Sequence, residues 1–557
     1  MSKHRNLRLL IESVALGVVG ALCAQIFIWT LKVTSHFLQV RIAGYQEPGI
    51  PSEGGVLQQV IGPHAMWIML AVITVAGLVS GALVYHFAPE AEGHGTDTVV
   101  KAFHRAGGFI RARVPPLKLV ASAITIGSGG AAGREGPTAL IVAGLGSTYA
   151  TWGKRSNEDR RLLLIIGMAA GLSAVFRSPI GAAIFAVEVL YGTMDFEAEA
   201  LVYTILSSVV AYAIGGFFSG WRPLFVLPSN ATRLDMLGYV CFGVLGITSG
   251  LIATILPEVF YRIRDFFRSL RVPPSLNPAI GALGVGLIAL AYPQVLGGGY
   301  GWIQEAINGS LTMRLLFALL FLKIIAFALT VGSGGSGGIF APTLFVGAML
   351  GGLLAAVFHL PSCTFVVIGM MAVFGGAARV PIASLIMVTE MTGGYQLVPP
   401  AALTVIVAFV IQTTLSTHLK YPSLYEAQVP DRAHSPASYQ ESVEMALKLL
   451  DAGQIPSGIA VGHLDLVSLL NSGIPINMAG GKTLSVGVVV GNASPTLANP
   501  GAKPGSDSAA VMAIVRGEKL LIPSAGLSLK PADRIFALGS PEANQKLLAQ
   551  LGAATTA

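Results

Sequence analysis

Charge is scarce in this sequence. Lys and Arg number 35 and Asp and Glu 28 in 557 residues, 11% in all, where a soluble globular chain carries about 25%. With a mean hydropathy of +0.70, that shortage excludes an ordinary soluble protein and puts the chain in a membrane. Cysteine is nearly absent too: Cys23, Cys241 and Cys363 lie in apolar surroundings without metal-ligand spacing, so neither a disulfide framework nor a structural zinc site is expected. The broken apolar segments hold no HExxH motif, no Ser/His/Asp arrangement and no paired carboxylates, which argues against a membrane enzyme. The net charge of +7 calls for no nucleic-acid partner, and no cofactor is expected.

What is abundant is apolar length. Runs of about 20 residues, enough for roughly 30 Å of hydrocarbon, are read at 9–36, 65–88, 201–219, 236–262, 278–298 and 314–331. The first follows a basic start without a small-residue cleavage pattern and reads as a retained helix. Lys3, Arg5 and Arg8 place the N-terminus in the cytoplasm by the positive-inside rule. Basic loops at 154–161 and 262–271 suit contact with anionic lipid. Glycine is also in excess, 67 residues against a usual share near 7%. In lipid, such broken segments must be buried in protein or line a polar cavity.

The glycines recur. Residues 117–146 align without a gap on 322–351 at an offset of 205, with 15 of 30 pairs identical. Among the pairs are Gly133/Gly338, Pro137/Pro342 and Thr138/Thr343. A second block, 165–190, aligns on 367–392 at an offset of 202, pairing Arg177/Arg379, Pro179/Pro381 and Glu188/Glu390. Duplicated apolar halves, broken by glycine and proline at matching places, mark a transporter fold with its site at the repeat interface. The halves run to about residue 220 and over 236–425.

Each break feeds a helix start, and a helix start inside a membrane offers unpaired N–H groups and a positive dipole end to an anion. Two such starts can converge on one anion, and partial charges hold it loosely enough to let it leave. Glu135, an intramembrane carboxylate at one break, is costly unless it has a purpose.

Gly133-Arg134-Glu135-Gly136-Pro137 and Gly338-Ile339-Phe340-Ala341-Pro342 resemble the two signature motifs of the CLC chloride channels and transporters. Arg379-Val380-Pro381, the stretch from Glu390 to Leu397 and Pro422-Ser423-Leu424-Tyr425 extend the resemblance over about residues 10–426. It implies a homodimer of inverted-repeat α-helical bundles with one chloride pathway per subunit. By the same resemblance Glu135 is the protonatable gate, which competes with chloride and leaves when protonated. Ile339 and Phe340 offer backbone N–H groups to the central anion and Tyr425 its hydroxyl. Gly338 belongs to the same anion-binding set, and Gly133, Arg134, Gly136, Pro137 and Pro342 support the pore.

Two positions depart from the family pattern. Gly93-His94-Gly95-Thr96-Asp97 stands where the family usually has Gly-Ser-Gly-Ile-Pro, so His94 and Gly95 replace the usual serine-bearing anion contact. His94 can donate a ring N–H to the anion or turn away to a backbone carbonyl. Val189 stands where proton-exchanging members commonly carry an inner carboxylate, and a valine cannot relay a proton. The expectation is therefore a chloride channel gated by Glu135, with a chloride/proton antiporter as the alternative.

Beyond Tyr425 no run is long enough to span a bilayer. Residues 426–440 read as a linker. Residues 441–557 read as a small α/β cytoplasmic unit: a helical period at 441–451, strands at 483–491, 510–517, 518–524 and 533–540, a turn over Arg516-Gly517-Glu518-Lys519, and a closing helix from Pro541. The pattern resembles the C-terminal regulatory domain of potassium-conductance and TrkA-type uptake proteins, which implies dimerisation and the sensing of a small, nucleotide-type ligand.

Overall fold

The computed structural model describes residues 3–228, 236–437, 476–477, 483–489, 509–516, 519–521, 523 and 527–555. The chain divides into two compact units, Met1–Arg432 and Ala433–Ala557.

The first unit is an α-helical membrane bundle. Among the described residues eight helices are long and apolar enough to cross a membrane. His4–Ala43, Ala65–Phe87, Ala198–Ser219, Gly238–Ser269, Pro274–Ala291 and Met313–Gly332 cover the six runs read from sequence, while Phe340–Phe358 and Tyr395–Ser416 come in addition. The run expected to reach residue 298 stops at Ala291, because Tyr292 turns extended before the short helix Pro293–Val295. A proline disfavours helical geometry in the residue before it. The outer helices show apolar side chains such as Trp67, Val75 and Phe87 to the surroundings. The helix Ser362–Ala377, by contrast, is buried at every position from Cys363 onward.

The repeat is visible in the elements. Val114–Gly127 breaks and restarts as Glu135–Trp152, and Met313–Gly332 breaks and restarts as Phe340–Phe358. Both breaks turn on a glycine that side chains would strain, Gly129 at φ 103° and Gly334 at φ 97°. The second block gives Asn157–Phe176 followed by Pro179–Glu188, and Ser362–Ala377 followed by Pro381–Thr392. Arg177 and Arg379 take the left-handed conformation at both junctions, each at φ 55°.

Gly133 and Gly338 join the copies. Each donates its N–H to the other's carbonyl at 2.7 Å, in an antiparallel bridge. Equivalent residues pair this way only when the two copies run in opposite directions there, so the halves are related by a local two-fold. That inversion was not visible in the sequence.

Residues 426–430, expected as linker, are docked onto this unit: Ala427 N–H donates to Asp97 at 2.8 Å, and Gly192 N–H donates to the Val429 carbonyl at 2.7 Å. In the second unit the described strands form one antiparallel sheet. Thr483–Val489 pairs with Arg534–Gly539, which pairs with Ala510–Arg516, which pairs with Lys519–Leu521. Arg516 opposes Lys519, the register a two-residue hairpin requires. Ile476–Asn477 and Ala553–Thr555 add to the free edge of Thr483–Val489, and Pro541–Gln550 forms the closing helix. The expected helix at 441–451 lies outside the described residues.

Candidate anion site at the repeat junction

Four helices begin near the Gly133–Gly338 bridge: Thr96–Arg105, Glu135–Trp152, Tyr300–Asn308 and Phe340–Phe358. Their backbones touch, and glycine makes the contact possible. A β-carbon at Gly95 would lie 2.7 Å from the Gly136 carbonyl oxygen, one at Gly338 would lie 2.8 Å from Gly136 N, and one at Gly136 would overlap the His94 carbonyl. Pro137 and Pro342 sit in first turns, where their missing N–H costs no intrahelical bond. The N–H groups of Ile339 and Phe340 fall at a helix start, where the backbone has no intrahelical acceptor for them.

Aromatic rings carry the site from one half to the other. His94 lies 5.5 Å from Tyr425 between ring centroids, Tyr425 6.2 Å from Phe185, and Phe185 6.3 Å from Phe340. Tyr425 is buried and its segment is pinned: Leu424 N–H donates to the Ala377 carbonyl at 2.9 Å, and the Tyr261 hydroxyl donates to the Leu424 carbonyl at 2.8 Å. His94 is buried as well, and its Nδ1 faces the Asp97 N–H at 3.5 Å. An Nδ1 used as acceptor leaves the ring proton on Nε2.

Glu135 is 1% exposed; its carboxylate faces the backbone N–H groups of Glu135 and Ala341 at the two helix starts, yet neither oxygen completes a well-aligned hydrogen bond among the described residues. A buried polar group left unpaired costs free energy, and a charged one costs more. The arrangement is tolerable for a carboxyl that takes up a proton or moves to donors nearby. Arg134, one residue earlier, is engaged elsewhere: it forms a fork to Glu53, 3.1 Å on one arm, and lies 5.1 Å from the Tyr300 ring centroid. Val189 is buried at the end of the helix Pro179–Glu188, its carbonyl accepting from the Gln428 side chain at 3.1 Å.

Two cavities approach this junction. The larger, about 890 Å³, is lined by His94, Gly95 and Asp97 with Lys101, Arg105 and Arg264 farther out. The smaller, about 340 Å³, is lined by Ala132 and Arg134 with Glu47 and Glu53. They open at opposite ends of the bundle. The helix Ala65–Phe87 follows the strand pair beside the smaller cavity and ends just before Pro89 and Glu90 of the larger, and its 23 residues span about 34 Å.

Sequence reasoning missed two residues here. Lys118 and Lys323, an identical pair within the aligned repeats, are both fully buried. Lys118 Nζ donates to the Ala91 and Gly93 carbonyls at 2.9 and 2.6 Å, and Lys323 Nζ donates to the Val295 and Gly297 carbonyls at 2.8 Å each. Each lysine therefore ties down the loop that leads into a converging helix, Thr96–Arg105 or Tyr300–Asn308. A charged residue repeated inside two apolar helices was the available signal.

The family described as voltage gated chloride channel matches residues 76–413. The H(+)/Cl(-) exchange transporter ClcA of Salmonella arizonae is 30% identical over 404 residues, 70% of this chain and 82% of that protein. Its counterpart in Salmonella newport is 29% identical over the same length and shares. Among solved structures, a CLC-type fluoride/proton antiporter superposes with a TM-score of 0.65 at 22% identity, covering 77% of this chain and 99% of that one. A slow cyanobacterial Cl-/H+ antiporter superposes with a TM-score of 0.65 at 22% identity, covering 74% and 96%. These relatives are named as exchangers, which favours the antiporter alternative over the channel that Val189 suggested.

Proposed function

Because this chain belongs to the voltage gated chloride channel family, we propose that it is a proton-coupled chloride exchanger in which Glu135 is the group that both gates the anion path and carries the proton. The observation that carries this reading is a buried Glu135 whose carboxylate faces the N–H groups of a helix start in each repeat without completing a well-aligned hydrogen bond to them. Ionised, the side chain competes with chloride for the N–H groups of Ile339 and Phe340; protonated, it gives up that attraction and the anion can take its place. His94 through Nε2–H and Tyr425 through its hydroxyl add neutral donors, while Gly95 and Gly338 let the backbones close around the ion. One Glu135 that must be neutral for chloride to pass, and charged to return, links the two movements.

The N-terminus and the larger cavity lie at the same end, since the first helix starts opposite the strand pair beside the smaller cavity. Lys101, Arg105 and Arg264 at the larger cavity support placing that end in the cytoplasm. The chain acts as a homodimer in this reading, with the second unit as a regulatory module for a small ligand; the antiparallel sheet is a scaffold suited to that role.

Passive conduction is the second reading, favoured by the buried hydrocarbon of Val189. In a planar bilayer at fixed chloride, a pH gradient shifts the reversal potential of an exchanger and leaves that of a pure chloride channel in place. A shift is expected.

A further inference from the structure

The geometry points to Asp97 as the carboxylate that loads protons from the larger cavity onto the path to Glu135. This inference rests on the exchange reading, which requires a protonatable group within reach of each face of the membrane. Glu135 follows Arg134 of the smaller cavity and precedes Gly136, which packs on Gly95 of the larger one, while Val189, where proton-exchanging members commonly carry an inner carboxylate, offers only hydrocarbon.

Asp97 has the placement Val189 lacks the chemistry for. It lines the larger cavity. Its Oδ1 accepts from Ala427 N–H at 2.8 Å, which fixes the side chain, and its Oδ2 has no partner among the described residues. It lies in the first turn of the helix Thr96–Arg105, whose cap, Gly95, packs on the Gly136 carbonyl of the glutamate's own helix. Asp97 and Glu135 are thus each within two residues of one backbone contact, and Tyr425 lies within electrostatic reach of both. The residue also departs from the family pattern, which has proline here. Proline suits a helix's first turn at no cost, so a carboxylate at this depth calls for another reason.

The groups facing Asp97 are His94 and Lys101 on its own segment, Tyr261 and Arg264 on the helix Met236–Ser269, and Tyr425 and Glu426 on the docked tail. Lys101 and Arg264 keep the carboxylate from being isolated, while Glu426 beside it favours proton uptake. In the transfer a hydrated proton from the cavity bonds to Oδ2 and releases its water; that O–H then breaks as a water on the path takes the proton, and the last water of the path gives it up as a new O–H forms on Glu135. Chloride moves the opposite way, and nothing is oxidised or reduced. His94 is not a through-ring relay in this arrangement, because Nδ1 is turned to the Asp97 N–H.

The test uses the full chain in liposomes, with a chloride gradient driving proton uptake and both fluxes recorded. Asp97→Asn is expected to pass chloride while its proton-to-chloride ratio falls at least tenfold, and Asp97→Glu to retain coupling with a displaced pH profile. Restoring a carboxylate at the vacant place, Asp97→Asn with Val189→Glu, is expected to recover proton movement. A merely helix-capping Asp97 would change protein yield or total flux and leave the ratio alone. If wild type couples and Asp97→Asn couples equally, the proposal is overturned while exchange stands. If wild type moves no protons uphill, exchange fails and takes the proposal with it. Should Asp97→Asn not assemble, Asp97→Glu decides: an unchanged pH profile overturns the assignment.

Discussion

Glu188 and Glu390 cap each other's repeat. Glu188 accepts from the N–H groups of Ile382 and Ala383 at 3.1 and 2.6 Å, and Glu390 from those of Ile180 and Gly181 at 3.3 and 2.9 Å. Both carboxylates thus hold the first turn of the other half's helix, Pro381–Thr392 or Pro179–Glu188. Negative charge at a helix start satisfies orphan donors and complements the dipole. Replacing either by alanine removes two backbone bonds, and for Glu390 a third from the Ser178 hydroxyl at 2.6 Å, at roughly 0.5–3 kcal/mol each before relaxation. Losses of thermal stability in detergent are expected for both Glu188→Ala and Glu390→Ala, the larger for Glu390→Ala; a neutral result for either would break the symmetry argument.

The buried lysines yield a second expectation. Lys118→Met keeps the length of the side chain but removes two charged-donor bonds, to the Ala91 and Gly93 carbonyls, at roughly 1.5–3 kcal/mol each before relaxation, and leaves those carbonyls only the Ser336 hydroxyl and the Gly337 N–H at 3.2 Å. Because those carbonyls hold the loop bearing His94, chloride flux per folded protein should fall along with stability. Lys323→Met should act in the same way on the loop before Tyr300. Full flux in a folded Lys118→Met protein would show that the loop holds its shape without the lysine.

A change of anion preference is expected at His94. With Nδ1 turned to Asp97, the ring donates from Nε2 as a neutral group, and His94→Ser substitutes a shorter donor. Measured in the Glu135→Gln background, so that the gate does not mask it, the chloride-to-nitrate preference should move severalfold. Identical selectivity would mean that the ring contributes nothing to the ion.

In the second unit, burial would push the Asp533 carboxyl upward, but the fork from Arg516, at 2.8 and 2.7 Å, and the Lys530 N–H more than offset it and hold the group below the usual carboxylate range. A depressed folded value means that the stabilisation is complete above the unfolded aspartate value, about 3.9, and is lost as pH falls through the lower folded one. Amide protection in the strands Ala510–Arg516 and Arg534–Gly539, taken relative to the intrinsic exchange rate at each pH, should therefore fall below about pH 4. With Arg516→Leu, a faster rate should already be present at neutral pH. Equal protection across that range in both proteins would show that the ion pair does not stabilise the sheet.

Much of this was legible because glycine, proline and charge are informative inside a membrane. The repeat gave the broken helices and the residues beside Gly133 and Gly338, and hydrophobic length gave six of the crossing helices. Tyr395–Ser416 escaped notice because its apolar run starts on two prolines and ends on threonines. The inversion of the halves was invisible, since an alignment records order and not direction in space; the reciprocal bonds of Gly133 and Gly338 supply it. Lys118 and Lys323 were passed over because their partners are backbone carbonyls, which leave no trace in sequence. Asp97 was seen only as part of a departing motif, and its cavity belongs to tertiary structure alone.

The central claim, that Glu135 couples chloride to protons, is tested most directly by one comparison in liposomes. Wild type and Glu135→Gln are loaded with high internal chloride at equal pH on both sides, and the proton concentration inside is followed as chloride leaves. The account predicts that wild type draws protons inward against their growing gradient, while Glu135→Gln releases chloride with no proton movement and no activation by acid. Chloride release from wild type without proton uptake, or proton uptake that survives Glu135→Gln, would contradict it.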